Sequence, residues 1–140
     1  MSEPKTQPTD ASVADFIDAV EPARRREDAR AVCDMLAEIM GEAPVMWGAS
    51  IVGFGRYTQV NAAKKSADWP LIAFSPRKAN LVVYAMAGAS ERPDLLARLG
   101  KVKTSAACLY INRLEDVDMG ALRALCEWSV ATMRARYPAG

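Results

Sequence analysis

A chain of 140 residues that is 51% hydrophobic and 25% charged is long enough to bury one core and too short for two, and this balance excludes a fully disordered polymer. No apolar run approaches the roughly 18 residues of a spanning helix, and Met1 to Asp10 holds no apolar stretch behind a basic patch, so neither a membrane span nor an ordinary secretion signal is expected. The formal net charge of +1 is a sum over unlike segments: residues 1–42 carry −5, residues 43–114 carry +7 and residues 115–140 carry −1.

Residues 1–11, with Pro4, Pro8 and polar neighbours, are expected to form a flexible tail, and residues 12–140 one domain. Val13, Phe16, Ile17 and Val20 recur at i, i+3, i+4 and i+7, the spacing of one helix face, behind the capping oxygens of Thr9, Asp10 and Ser12. Pro22, with its fixed φ and no N–H, suits the opening of a second helix. The stripe Ala29, Val32, Cys33, Leu36 and Met40 carries that helix to Gly41.

Beyond Pro44, short apolar runs between Gly, Pro and Asn read as strands at 45–47, 51–54, 57–60, 71–74, 81–85 and 108–111. The runs 71–74 and 81–84 form a hairpin around Pro76, which presets φ, and Asn80, which tolerates a left-handed backbone. A short helix is predicted over 90–99, with Pro93 in its first turn and Gly100 at its end. Asp118 caps a last helix whose stripe is Leu122, Leu125, Cys126, Ser129, Val130 and Met133, ending near Pro138. Two helices, a block of antiparallel strands with one helical insertion, and a closing helix define an α+β domain, its antiparallel sheet packed against N- and C-terminal helices. The crossover helices that a parallel sheet needs are missing.

The histidine count is zero, which removes Ser-His-Asp and Cys-His catalysis and most zinc sites. Cys33, Cys108 and Cys126 are odd in number and form no CxxC pair; two lie on helix stripes, as small hydrophobes do, so a reducing cytoplasm is the expected setting. The run Ile51-Val52-Gly53-Phe54-Gly55-Arg56-Tyr57 lacks the third glycine and the lysine of a phosphate loop, and its glycines read as places of close backbone approach.

Trp47, Tyr57, Trp69, Phe74 and Tyr84 gather in the strand-rich half as core filler or as a pocket wall. Arg77 and Lys78 fall in the hairpin turn, and Lys101 and Lys103 share one face of an extended stretch. An arginine fork with several ammonium groups is what a carboxylate or phosphate requires. Trp47, Tyr57, Arg77, Lys78, Lys101 and Lys103 are therefore the candidate ligand-binding set, for a small anionic molecule or an acidic protein segment. No catalytic residue stands out and no cofactor is indicated, so a binding domain is expected rather than an enzyme.

Oxygen-liganded metal is the alternative: Glu27, Asp34 and Glu38 lie on one side of the second helix, and Asp15 and Asp18 are i, i+3 neighbours on the first. Nucleic acid ranks behind both, because the basic middle block has no recognition motif. Met and Leu positions of the last helix offer a face for a homodimer.

Met46-Trp47-Gly48, Val52-Gly53-Phe54-Gly55-Arg56-Tyr57, Phe74-Ser75-Pro76-Arg77-Lys78, Leu99-Gly100-Lys101-Val102-Lys103 and the run from Cys108-Leu109-Tyr110-Ile111-Asn112 to Asp118 together resemble the YdhG-like family of small bacterial domains, over roughly residues 24–137. The resemblance implies a frataxin-like α+β fold and, since at least one member is described as an iron chaperone, iron as the alternative ligand. Frataxin-type docking uses a dense acidic ridge, which Arg24, Arg25, Arg26 and Arg30 dilute here.

Overall fold

The computed structural model describes residues 8–60, 63–64, 66–105 and 108–137. Helix α1 (Val13–Asp18) starts where the Ser12 side chain accepts from Asp15 N at 3.1 Å, and α2 (Ala23–Met40) follows Pro22. Gly41 ends α2 at φ 68°, its N–H donating to Ala37 O at 2.8 Å. Strands β1 (Val45–Trp47), β2 (Ile51–Phe54), β5 (Ile72–Pro76), β6 (Leu81–Tyr84), β7 (Val102–Ser105) and β8 (Cys108–Ile111) form one sheet in the order β1-β2-β5-β6-β8-β7, antiparallel throughout. Between β2 and β5 the chain makes a separate ribbon of β3 (Tyr57–Val60) and β4 (Ser66–Trp69). Helix α3 (Pro93–Leu99) precedes β7, and α4 (Met119–Arg136) closes the chain, its N-cap Asp118 accepting from Ala121 N at 3.0 Å.

The strand period of two decides which side chains meet the helices. Met46, Val52, Phe54, Ile72, Phe74, Leu81, Val83, Leu109 and Ile111 point to the inner face, where they join one core with the stripes of α2 and α4. Every position of the predicted α4 stripe is buried, Ser129 included; its hydroxyl accepts from Ala87 N at 3.2 Å, so the polar group is satisfied. Leu122 and Leu125 are consumed by this core, and Met119 is the large apolar side chain α4 leaves exposed, which corrects the leucine dimer face expected from the sequence.

Three further expectations change. Residues 1–7 of the expected tail lie outside the described residues, while Thr9 N donates to Met46 O at 2.8 Å and Pro8 bridges Trp47, covering the edge of β1. Asn80 is not left-handed, because Lys64 is the one non-glycine with positive φ among the described residues; the turn closes by Arg77 N donating to Asn80 O at 2.9 Å. The predicted helix at 90–99 divides into a 3-10 turn over Ala89–Glu91 and α3, since Pro93 can open a helix but not continue one.

Arg25 is charged and only 6% exposed. Its guanidinium donates to Asn112 O at 3.0 Å and Ile111 O at 3.4 Å, while Asp28 accepts from Leu114 N at 3.1 Å, so one turn of α2 holds the chain leaving β8. Burial lowers the Arg25 pKa and the neighbouring Asp28 opposes that shift. Arg25→Ala is expected to lower stability by about 1.5–3 kcal/mol, the scale of hydrogen bonds to a charged group, read as a reduced midpoint in urea at unchanged slope.

Candidate functional site

The outer face of the sheet carries the candidate site. Part of it is covered, since Trp47, Ala73, Ser75 and Val82 are buried there, and accessible side chains remain on β6, β8 and β7. Register aligns Ser75, Val82, Tyr110 and Lys103 in one row across β5, β6, β8 and β7, and Ala73, Tyr84, Cys108 and Ser105 in the next. Tyr84, Cys108 and Tyr110 are half-buried there, whereas Lys103 and Ser105 are exposed. Both phenols have partners: Arg77 donates to the Tyr84 hydroxyl at 2.7 Å, and the Tyr110 hydroxyl shares a hydrogen bond with Ser105 Oγ at 3.1 Å. Burial raises the Tyr84 pKa, and the positive charge of Arg77 opposes that shift.

An open hollow of about 590 Å³ lies at the end of these rows. Lys101, Lys103, Tyr110, Asn80 and Asn112 face it, with Asp116 as its one carboxylate and Ala79 and Val102 completing the wall. Gly100 positions the lysines: at φ 104° it turns the chain from α3 into β7, bridged to Val117. No salt bridge joins Lys78, Lys101 or Lys103 among the described residues, so these ammonium groups remain available to an outside anion.

Of the sequence-derived set, Lys101 and Lys103 share this hollow, and Arg77 and Lys78 stand exposed in the turn whose Ala79 and Asn80 form part of its wall. Trp47 and Tyr57 do not join them. Trp47 is 2% exposed and lies across Gly53, where an added Cβ would come within 2.4 Å of its Cδ1; Arg56 sits 5.9 Å from the ring centroid. Its hollow, of about 270 Å³, is shared with Pro8, Glu42 and Arg56. Tyr57 packs at 4.7 Å from the Tyr137 ring and against the core, and burial raises its pKa.

The acidic set is similarly dispersed. Asp18 pairs with Arg30, and Glu38 pairs with Arg123 at 2.9 Å. Asp34 borders a different hollow, between α1 and α2, together with Asp18 and Arg30. No three His, Cys, Asp or Glu side chains gather as a metal site would require among the described residues.

Sequence reasoning missed Tyr110, Asn80, Asn112 and Asp116. The signal for Tyr110 was present, since Leu109 and Ile111 alternate with Cys108 and Tyr110 and only one pair can face the helices. Cys33 and Cys126 are buried thiols, pushed up to about 11 and about 12, which is the inert state of a core cysteine.

The class these features define is an α+β domain with helices on one sheet face and a basic, tyrosine-bearing hollow on the other. No family model matches the chain, and neither the curated proteins nor the solved structures yield a match. No helix among the described residues is long and apolar enough to cross a membrane.

Proposed function

We propose that this chain is a binding domain without a reaction of its own, and that it seats the anionic group of a small ligand or of an acidic partner segment between Lys101 and Lys103. The observation that carries this reading is the hollow itself: Lys101 and Lys103, which make no salt bridge among the described residues, line a space of about 590 Å³ together with Asn80, Asn112 and Tyr110, within the usual size of a small-molecule site. Asp116 on the wall limits the net charge and favours a ligand with a donor beside its anion. The motifs from Met46 to Asp118 and the helices on one sheet face support a YdhG-like, frataxin-like plan for the domain. Three free cysteines, two of them in the core, support a reducing, cytoplasmic setting.

A thermal-shift screen against phosphate, nucleotides and carboxylate metabolites tests the reading. A ligand at 100 times its dissociation constant stabilises the native state by about 2.7 kcal/mol. The expected result is a shift with anions that the Lys101→Ala, Lys103→Ala double variant loses while keeping its own melting temperature, since both side chains are exposed. An undiminished shift in that variant refutes the assignment.

A further inference from the structure

The outer face continues past the lysine hollow as a line of rings. Tyr110 on β8 and Tyr84 on β6 are diagonal neighbours, because Tyr84 stands opposite Cys108, two residues before Tyr110. Such positions lie about 7–8 Å apart, near enough to form one platform and far enough for each ring to take its own planar partner. Tyr84 then meets Trp69 and Pro70, from the ribbon side, around a small apolar notch of about 70 Å³. All three rings are half-buried, so each keeps part of its surface accessible. Arg77 and Lys78 lie in the turn on one border of this line, and Lys101 and Lys103 lie at its end.

We infer that the anionic partner is a single-stranded nucleic acid segment, with phosphates at Lys101, Lys103, Arg77 and Lys78 and bases on Tyr110, Tyr84 and Trp69. This rests on the anion reading of the hollow and names its partner. Charge complementarity selects the occupant: the cations border the rings rather than interrupt them, which matches a polymer whose charge runs beside its planar groups. An acidic peptide satisfies the lysines but leaves the rings unused. A duplex keeps its bases stacked on each other, so a platform of separate rings reads only an unpaired strand. The sequence shows no recognition motif because the platform is assembled by register from β6, β8 and the β3–β4 ribbon.

The test is fluorescence anisotropy with labelled dT10 and U10, set beside inorganic pyrophosphate and a deca-glutamate peptide as competitors. The expected result is decamer binding that weakens with salt, that Tyr110→Leu reduces about tenfold and that Tyr110→Phe retains. Tyr84→Leu, at a ring that does not line the hollow, should weaken the decamer and leave pyrophosphate binding unchanged, and an unchanged melting temperature for Tyr110→Leu separates ring loss from misfolding. Pyrophosphate binding without decamer binding overturns this inference and leaves the anion hollow standing. Loss of both overturns both. Competition by deca-glutamate at the decamer's own affinity, or decamer binding indifferent to Tyr110→Leu, shows attraction to charge alone and overturns the strand assignment.

Discussion

Gly100→Ala is expected to destabilise the domain by about 2–5 kcal/mol and to weaken anion binding with it. Two independent obstacles act at this position. The backbone holds φ at 104°, which side chains rarely adopt, and an added Cβ would lie 2.7 Å from the carbonyl oxygen of Asp116. That oxygen is backbone and cannot swing aside, because Asp116 N donates to Arg113 O and Asp118 N donates to Leu99 O on either side of it. Relief therefore requires the start of β7 to move, and Lys101 and Lys103 move with it. For a domain of this size the thermal midpoint should fall by roughly 10 °C. Gly41→Ala is the unobstructed counterpart: its backbone is left-handed, at φ 68° and ψ 24° against φ 104° and ψ −134° at Gly100, and nothing lies within 4 Å of the added Cβ. It should cost about 1–2 kcal/mol, the left-handed penalty alone, and leave anion binding intact. Equal losses at the two glycines would show that the Asp116 carbonyl adds nothing to the cost at Gly100.

The elements most legible in the sequence are those whose period the core enforces. The stripe of α4 from Leu122 to Met133 and that of α2 from Ala29 to Met40 were readable because a helix face repeats four or five times before it ends. Most strands were readable as apolar runs between turn residues. β4 was not, because Ser66-Ala67-Asp68-Trp69 pairs only with β3 and has no core face to pattern it. β7 was legible only as an extended stretch carrying Lys101 and Lys103, since an edge strand with three exposed residues of four shows no apolar alternation.

The site was legible in its charges and not in its rings. Lys101 and Lys103 are close in sequence, so local spacing sufficed to place them together. Grouping Trp47 and Tyr57 with them relied on nearness along the chain, whereas a sheet sorts aromatics by parity and strand order. Trp47 shares the outer face but is spent covering Gly53 at the β1 end, and Tyr57 left for the ribbon and the Tyr137 ring. Tyr110 reaches the lysines through the pairing of β8 with β7, which sets it directly opposite Lys103.

That division of labour between the two sheet faces makes Phe74→Ala the largest stability effect expected, a loss of about 3–5 kcal/mol. Phe74 is fully buried on β5, paired to Val52 on one side and Val83 on the other, under the strands' contacts with α2 and α4. Its removal leaves a cavity among Val52, Val83 and the helix stripes, and a sheet hydrogen-bonded on both sides of β5 cannot collapse to fill it. Against the 5–15 kcal/mol usual for a domain, this is about a fifth or more of the total, read as a lower urea midpoint with the slope preserved. Ser75, the next residue, faces outward, is buried, and donates its hydroxyl to Ser50 O at 2.7 Å. Ser75→Ala should cost only about 1 kcal/mol, because it removes one hydrogen bond and leaves no large void. Neighbouring residues of one strand would then differ severalfold in cost, with the inner position holding the core and the outer one supporting a face that the fold can spare for a ligand. A Ser75→Ala loss as large as that of Phe74→Ala would mean that the outer face is itself a second core, and the open-face account of the site would fail with it.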